Sequence, residues 1–357
     1  GQIDGIGPNA RLILKFNGDK TTTELGEADH TAGLKAVLEA LKPILGERKV
    51  MGVGHRIVHG GTEYADPIVI TGPILEDLAK LTPLAPLHQP HNVAAIRAAM
   101  TAFPDAVQVG CFDTGFHRGH SFVNDTYALP RKFYEEGVRR YGFHGLSYDY
   151  ITGHIEENFP ELKDARIVVA HLGNGASMTC FKGRTTIAST LGFSALDGLP
   201  MGTRCGQLDP GIVLYLLDKG MTGAEISDLL YKQSGLKGLS GITNDMRELT
   251  ESDAPEARQA VDYFIARVKR EIGALAAADG GIDALVFTGG IGENSAHVRA
   301  EVCKTLGWIG IEVDAVANAQ NAQVISTADS RTRVMAVPTD EELVIARGTA
   351  GFLEEGS

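Results

Sequence analysis

Apolar residues along the chain fall into two kinds of run. Stretches rich in Val, Ile and Phe predict buried strands. They lie at 106–112, 166–172, 283–289 and 333–339. Amphipathic runs, which predict helices, lie at 31–45, 91–102, 146–157, 210–218, 254–278, 295–306 and 340–353. This pattern of buried strands between helices predicts an α/β fold.

Cap and turn signals sharpen this pattern. Thr222 and Thr339 are each followed three residues later by glutamate, which predicts two capping boxes. The segment 176–189 places two short β-prone runs around a Lys-Gly pair, which predicts a hairpin. A turn and a fresh strand after the helix predicted at 146–157 place a domain boundary near 145–165.

Length and composition narrow the class of protein. The chain has 357 residues, which at about 150 residues per domain predicts two domains. With 43% hydrophobic and 22% charged residues, it is neither collagen, coiled coil nor wholly disordered. The net charge of −12 is spread without a long like-charged block, so we expect no nucleic-acid partner.

Other compositional signals point to the cytoplasm. No window approaches 18 uninterrupted apolar residues, and the N-terminus lacks the features of a signal peptide, so we expect no membrane partner. The 4 cysteines are far apart and lack CxxC spacing, which favours a reducing cytoplasm over a zinc or disulfide framework.

Glycine is in excess, with 43 residues or about 12% of the chain against an average near 7%. Two segments, 168–177 and 285–295, share one design in which a buried strand runs into a glycine-rich turn. Backbone N–H groups in such turns can cradle phosphate, although glycine after a strand is also ordinary turn punctuation. The chain has no GxxxxGK[ST], GxGxxG, GxSxG or HExxH motif, which argues against P-loop, dinucleotide, esterase and zincin sites.

A second group of segments concentrates Arg, His and Asp beside glycine, at 54–61, 85–92, 111–117, 139–145 and 198–211. A single such histidine is more often structural than catalytic. Three histidine pairs could also be metal ligands, but Pro90 interrupts one of them and no Cys or carboxylate-flanked helix accompanies them. Together with the glycine-rich turns, these residues suit phosphoryl transfer, in which positioning and charge neutralisation supply most of the catalysis.

Eight segments of the chain together resemble those of one protein family. The segments GHRIVHGG, APLHQPHN, CFDTGFH, RRYGFHGLS, HLGNGAS, DGLPMGTRCGQLDP, FTGGIGENS and PTDEELVIAR resemble, in order, those of the acetate kinase family. That family belongs to the superfamily of acetate and sugar kinases, chaperones and actin. Its fold implies two ribonuclease-H-like (actin-like ATPase) α/β domains flanking a central cleft.

The resemblance also implies a domain organisation. Residues 1–150 would form the acyl- and phosphate-side domain, to which a C-terminal helix at 340–357 returns. Residues 151–339 would bind nucleotide and join two subunits into a homodimer. Family members begin with an N-x-G-S-S-S phosphate loop that nothing here matches, so we expect an N-terminal segment of some thirty residues to be missing from this sequence.

The implied reaction is reversible, Mg²⁺-dependent, direct in-line transfer of phosphoryl from ATP to acetate, giving ADP and acetyl phosphate. A carboxylate with a pKa near 4.3 is already ionised at neutral pH, so no general base is required. The difficulty is to bring this anion onto an anionic γ-phosphoryl group, which makes cations and fixed dipoles the expected tools. Residues at the family's catalytic positions are Arg56, His88, Asp113, His144 and Arg204.

The resemblance suggests a role for each. Arg56 and Arg204 would bind the acetate carboxylate and neutralise the transferring group, since an arginine fork makes bidentate contacts. His144 would donate to the equatorial phosphoryl oxygens, and His88 would assist on the same group. Asp113 would orient an arginine or the magnesium shell rather than abstract a proton.

The remaining family positions concern binding. The acyl pocket matches Val58, Leu87, Phe143 and Ala195, the last usually proline in the family. One methylene is worth only about 1–3 kcal/mol, so propionate is expected to react beside acetate. Nucleotide-binding positions match His171, Gly173, Asn174, Gly175, Asn244, Asp245, Met246, Arg247, Gly289, Gly290, Ile291, Gly292 and Asn294. Glu341 matches the magnesium residue, because Glu342 suits the predicted capping box.

Three alternatives stay open. A propionate or butyrate kinase would run the same chemistry on a longer acid. A non-catalytic nucleotide-binding member of the superfamily would bind ATP without turnover. A histidine-metal hydrolase would hold stoichiometric zinc.

Overall fold

The structure is a computed structural model that describes residues 1–354, except for the side chain of His30. The chain divides into two compact units. Unit 1 contains Gly1–Phe112 and the chain from Ile345 onward, and unit 2 contains Asp113–Val344. The boundary predicted at residue 150 therefore lies inside unit 2, and the last residues of the helix predicted at 340–357 lie outside the described part of the chain.

The strands agree closely with those predicted after residue 100. They are β1 (Gln2–Asp4), β2 (Gly7–Phe16), β3 (Asp19–Ala28), β4 (Gly52–Ile57), β5 (Ile68–Val69), β6 (Val107–Phe112), β7 (Arg166–Leu172), β8 (Ala176–Lys182), β9 (Thr185–Ser189), β10 (Ala284–Thr288) and β11 (Arg333–Ala336). The predicted hairpin at 176–189 is confirmed as β8 and β9.

The helices include every amphipathic run predicted and several short helices that were not. They are α1 (His30–Leu45), α2 (Gly72–Lys80), α3 (Gln89–Ala102), α4 (Phe122–Asp125), α5 (Arg131–Glu135), α6 (Gly145–Asn158), α7 (Pro210–Asp218), α8 (Gly223–Lys232), α9 (Gly235–Ser240), α10 (Met246–Glu251), α11 (Pro255–Ala278), α12 (Gly289–Asn294), α13 (Ala296–Cys303), α14 (Ala315–Ala319) and α15 (Glu341–Glu354). Short 3₁₀ helices occupy Thr82–Leu84, Gly115–His117, Pro160–Leu162 and Gly307–Ile309. Within residues 1–354, none of the helices has both the length and the apolar content needed to span a membrane.

Unit 1 contains two three-stranded sheets, β1-β2-β3 and β4-β6-β5. In the second sheet β4 and β6 are parallel, and apolar residues of α2 and α3 such as Leu78 and Ile96 form its core with Ile57. Glycine in β4 allows α15 to approach closely, because a Cβ on Gly54 would lie 2.4 Å from the Ile345 side chain.

The antiparallel sheet β1-β2-β3 was not predicted from the sequence. Its signal was an Asn-Gly pair between two β-prone runs, which is a strong hairpin indicator. Asn17 and Gly18 adopt φ values of 52° and 90°, the left-handed pair that such a two-residue turn requires.

Unit 2 is built on the five-stranded sheet β11-β10-β7-β8-β9. β10 pairs in parallel with both β7 and β11, and β8 pairs antiparallel with both β7 and β9. Tyr148, Ile151 and Ile155 of α6 pack with Ile167 and Val169 of β7 in one hydrophobic core cluster. Because α6 shares this core, the predicted boundary at residue 150 would divide it, and the observed boundary precedes α6.

The two predicted capping boxes have different outcomes. The first is confirmed: Thr222 and Glu225 cap α8 reciprocally. The second, at Thr339 and Glu342, is wrong. Asp340 accepts from the Leu343 N–H at 2.9 Å and so caps α15, while the Thr339 N–H donates to Glu293.

Candidate active site

His144 stands immediately before α6 in a left-handed backbone conformation with φ 57° and ψ 26°. This conformation is strained for a residue with a side chain and is more common at functional sites. Its Nδ1 lies 2.7 Å from Ser177 Oγ, and its ring stacks on His171 with centroids 4.3 Å apart. Backbone, hydrogen bond and stack together fix the direction of the imidazole.

The turn after β7 places a glycine where His144 and Arg204 meet. A Cβ on Gly175 would lie 3.2 Å from His144 Nε2 and 3.4 Å from Arg204 Nη2. Arg204 Nη1 donates to the Ala195 carbonyl at 3.1 Å, and burial lowers the pKa of the guanidinium. A histidine and an arginine, both hydrogen-bond donors, therefore converge on half-buried backbone at Gly175, as an anion site requires.

Asn174 joins this turn to neighbouring loops. Its side-chain oxygen accepts from Asn244 Nδ2 at 3.0 Å, and its carbonyl accepts from the Gly202 N–H at 3.0 Å. A Cβ on Gly202 would lie 2.1 Å from Asn174 Oδ1, so only glycine allows this approach. Asn174 and Asn244, which were both predicted to bind nucleotide, thus belong to one hydrogen-bonded cluster of loops.

A cavity of about 630 Å³ opens beside this cluster in unit 2. The predicted nucleotide residues that line it are Gly173, Asn174, Asn244, Asp245, Met246, Arg247, Gly290, Ile291 and Asn294. Of the other predicted residues, His171, Gly175, Gly289 and Gly292 do not line it. Residues that the sequence analysis missed are Thr250, Glu251, Ser295, Ala296 and His297. They could have been found from their position in the chain, because they lie shortly after the predicted residues Arg247 and Asn294, in α10 and at the start of α13.

Asp245 and Arg247 form an ion pair at the cavity wall. Arg247 Nη2 lies 2.6 Å from Asp245 Oδ2, and its side chain is 85% exposed. Hydrogen bonds from the Arg247 side chain and backbone lower the pKa of Asp245 to about 2. Asp245 also caps α10, so the exposed guanidinium is tethered to a helix start.

The turn after β10 is braced by charged side chains. Gly289 has φ 76°, and a Cβ there would lie 2.8 Å from the Leu172 carbonyl oxygen. Glu293 Oε1 accepts from the Gly289 N–H at 2.9 Å and from the Thr339 N–H at 3.1 Å. Fully buried Arg299 donates to the Gly292 and Glu293 carbonyls at 2.8 Å. Both ends of α12 are therefore held by side chains.

Asp113 and Phe143 are both buried in unit 2, and Phe143 directly precedes His144 in the chain. The Asp113 carbonyl accepts from the Gly145 N–H at 2.8 Å, which ties it to the first residue of α6. His117 Nε2 donates to the Phe143 carbonyl at 3.0 Å.

The predicted residues Arg56, Val58, Leu87 and His88 belong to unit 1. Arg56 is an exposed residue of β4, and Leu87 is 39% exposed. Asn92 links the other two: its side chain accepts from the Val58 N–H at 3.0 Å, and its N–H donates to the His88 carbonyl at 3.0 Å. The structure thus brings Val58 and His88 to the first turn of α3.

The described residues contain no cluster of three or more His, Cys, Asp or Glu side chains able to hold a metal ion. His117 and His120 are one of the three histidine pairs that could be metal ligands; His117 is buried and His120 half-buried, and burial lowers their pKa values to about 3 and about 4, so both are neutral at neutral pH. Glu341 is half-buried at the first position of α15. Magnesium is usually held by one or two carboxylates together with water and substrate phosphates, so a single carboxylate at a helix start fits this ion.

Comparison with known proteins identifies the family. The sequence pattern of the Acetokinase family matches residues 1–347. The chain belongs to the acetokinase family. It is 55% identical to the acetate kinase of Methylocella silvestris over 337 residues, covering 94% of this chain and 83% of that protein. It is 50% identical to the acetate kinase of Nitrobacter hamburgensis, covering 100% of this chain and 90% of that protein.

Solved structures of the acetokinase family agree with this assignment. An acetate kinase from Porphyromonas gingivalis matches with a TM-score of 0.90 and 37% identity over 98% of this chain and 92% of that one. A propionate kinase from Francisella tularensis matches with a TM-score of 0.93 and 34% identity over 98% of this chain and 91% of that one. The predicted α/β fold class is thereby confirmed.

Proposed function

We propose that this chain is an ATP:acetate phosphotransferase that produces acetyl phosphate and ADP reversibly. The observation that carries the proposal is the convergence of His144 Nε2 and Arg204 Nη2 on Gly175. The adjacent residues Gly173 and Asn174 line a cavity of about 630 Å³, large enough for a nucleotide. An anion-binding pair beside such a cavity is what transfer of a terminal phosphoryl group needs.

In this reaction a carboxylate oxygen of acetate forms a bond to the γ-phosphorus as the bond to the β-phosphate oxygen breaks. The electron pair of the broken bond leaves with ADP. Acetate needs no base, since it is already ionised at neutral pH. Arg204 and His144 act by hydrogen-bonding the phosphoryl oxygens as negative charge moves across them.

Arg56, His88 and Asp113 complete the proposed machinery. Arg56 binds the acetate carboxylate, and His88 assists on the transferring group. Asp113 orients a positively charged group, because the chemistry gives it no proton to abstract. The support for these roles is the match to family motifs together with the placement of His88 at the start of α3 and the burial of Asp113.

The cavity is proposed to hold the nucleotide. Gly290 and Ile291 line one wall of it, and the segment from Asn244 to Arg247 forms another. His171, Gly289 and Gly292 do not line the cavity: His171 stacks on His144, and Gly289 supplies the left-handed backbone of the turn after β10.

Magnesium is proposed to bind through Glu341, where its charge would offset that of the nucleotide phosphates. Glu341 stands next to Asp340, the cap of α15, so its backbone is fixed by the helix start. Because Asp340 caps α15, a capping role for Glu342 does not distinguish it from Glu341. Glu341 is the better candidate because it is half-buried, whereas Glu342 is exposed.

Acyl size is proposed to be set by Val58, Leu87, Phe143 and Ala195. The similarity to a propionate kinase favours propionate as a second substrate. One methylene changes discrimination by only about 1–3 kcal/mol, so we expect acetate to be preferred and propionate to be used.

We also propose a homodimer in the cytoplasm, joined through unit 2. Support comes from α7, where Leu214, Tyr215 and Leu217 are 64%, 57% and 45% exposed. Exposed apolar patches of this kind commonly mark subunit interfaces. We propose no nucleic-acid or membrane partner.

The experiment is hydroxylamine trapping of acyl phosphate with Mg-ATP and acetate, propionate or butyrate. We expect kcat/KM to be highest for acetate and lowest for butyrate. A maximum at propionate or butyrate would reassign the acid. Bound ATP without product from any acid would support a non-catalytic nucleotide-binding protein instead.

A further inference from the structure

A chain of hydrogen-bonded side chains ends on His144, on the side of the ring away from Gly175. His144 Nδ1 lies 2.7 Å from Ser177 Oγ, and the Tyr148 hydroxyl bonds the same oxygen. Tyr148 and Ser177 have no exposed surface. Their hydroxyl hydrogens must therefore be satisfied within the protein.

Only one arrangement of hydrogens satisfies every donor in this chain. Tyr148 and Ser177 each carry one hydroxyl hydrogen. Among residues 1–354, the Tyr148 hydroxyl bonds only Ser177, and the Ser177 hydroxyl bonds only Tyr148 and His144 Nδ1. Tyr148 must therefore donate to Ser177, and Ser177 must donate to His144 Nδ1.

The alternatives each leave a buried hydrogen without an acceptor. If His144 Nδ1 donated to Ser177, the Ser177 hydroxyl would have to donate to Tyr148, and the Tyr148 hydrogen would have no acceptor. If both His144 and Tyr148 donated to Ser177, the Ser177 hydrogen would have none. Burying such a donor unpaired is unfavourable.

We propose that Tyr148 and Ser177 are positioning residues that hold His144 as the neutral tautomer with its hydrogen on Nε2. Nε2 is the atom that faces Gly175, where a Cβ would lie 3.2 Å away. His144 then presents an N–H donor toward the turn without having to become charged. The catalytic part of this inference rests on the proposed function; the tautomer itself does not.

Two further observations support the arrangement. Burial raises the pKa of the Tyr148 hydroxyl, and the charge of Glu341 adds to this, so Tyr148 remains a donor. The stack of His171 on His144, with planes 20° apart, and the left-handed backbone at His144 restrict rotation of the ring.

The test begins with the tautomer of the unmodified protein. Long-range ¹H–¹⁵N NMR with labelled histidine reports which ring nitrogen carries hydrogen, and the signals missing from His144→Asn assign the residue. We expect Nδ1 to be unprotonated and Nε2 to be protonated. A hydrogen on Nδ1, or fast exchange between the two forms, would overturn the proposal.

Variants then test the role of the chain. In Ser177→Ala and Tyr148→Phe we expect a mixture of tautomers and a fall in acetate-dependent kcat of about tenfold or more, with KM for ATP unchanged within about twofold. Thr152→Val is the matched control, since it removes a buried hydroxyl that bonds only the backbone of α6. Retention of the single tautomer and full kcat in both variants would contradict the positioning role.

Failure of the proposed function is separately visible. A single Nε2–H tautomer without acetate-dependent turnover would refute the kinase assignment and leave the hydrogen-bond chain intact. Acetate-dependent turnover with the hydrogen on Nδ1 would support the kinase assignment and refute the proposed tautomer.

Discussion

The turns after β7 and β10 follow neighbouring parallel strands, and a Cβ on Gly173 would lie 3.8 Å from the Gly290 nitrogen. The turn after β7 is closed by backbone, with the Gly173 N–H donating to the Gly175 carbonyl at 3.0 Å. The turn after β10 enters a short helix that Glu293 and Arg299 brace at either end.

The difference assigns a task to each turn. His144 and Arg204 converge on the first turn, whereas half-buried Glu293 and fully buried Arg299 bond the backbone of the second turn and its helix. The first therefore suits chemistry and the second suits a rigid binding surface. Two turns that look alike in sequence differ because residues distant in the chain surround them.

Removing the guanidinium at the first turn is expected to have the largest effect. Arg204→Ala should lower kcat by about 10³-fold or more, in the range known for arginines that stabilise phosphoryl transfer. The Kd for Mg-ADP should stay within about threefold, as measured by calorimetry. Unchanged turnover would remove Arg204 from the mechanism. Loss of Mg-ADP binding would show that the first turn also binds the nucleotide, which contradicts the proposed division between the two turns.

Removing the brace of the second turn should act on stability. Arg299→Met leaves the Gly292 and Glu293 carbonyls without their buried donor. At about 1–3 kcal/mol for each unsatisfied group, the free energy of unfolding should fall by at least about 2 kcal/mol. Urea denaturation measures this loss.

Arg258→Met is a matched control for that experiment, because Arg258 is an exposed residue in the first turn of α11. It should change the free energy of unfolding by no more than about 0.5 kcal/mol. Equal losses in the two variants would show that Arg299 is not a brace.

A methyl group at the first turn should have an intermediate effect. Gly175→Ala places a Cβ 3.2 Å from His144 Nε2 and 3.4 Å from Arg204 Nη2. Misplacement of catalytic groups on this scale can lower kcat by about 10²-fold. Steady-state assays with saturating substrates measure it.

Gly153→Ala is the control, since a Cβ at that helical position meets nothing within 4 Å. It should leave kcat unchanged. An active Gly175→Ala protein would place the reacting group elsewhere.

The smallest effect is expected at the cavity wall. Arg247→Ala removes an exposed guanidinium and its ion pair with Asp245. We expect KM for ATP to rise by about threefold to tenfold with kcat retained, since an exposed contact contributes about 1 kcal/mol. A fall in kcat comparable with that of Arg204→Ala would contradict the division between the turns.

The sequence predicted regular elements better than local detail. The strand at 166–172 and the helix at 210–218 agree with the structure residue for residue, because continuous apolar runs and strong caps determine them locally. The role of Arg299 could not be predicted. An arginine in a helix is usually exposed, and its burial depends on Asn318 and Asn321, which lie some twenty residues away.

The cap at residue 340 also depends on a residue distant in the chain. Thr339 matched a capping pattern, but its N–H is taken by Glu293 from the neighbouring turn. Asp340 then caps the helix. The candidate site residues were predicted by resemblance, while the hydrogen-bond order from Tyr148 to His144 needed coordinates.

The most direct measurement is ³¹P NMR of this chain with Mg-ATP and acetate, and with acetyl phosphate and Mg-ADP. We predict that acetyl phosphate and ADP appear in equal amounts in the first mixture and ATP in the second. ADP with inorganic phosphate and no acetyl phosphate, or no turnover despite bound Mg-ADP, would contradict direct transfer to acetate.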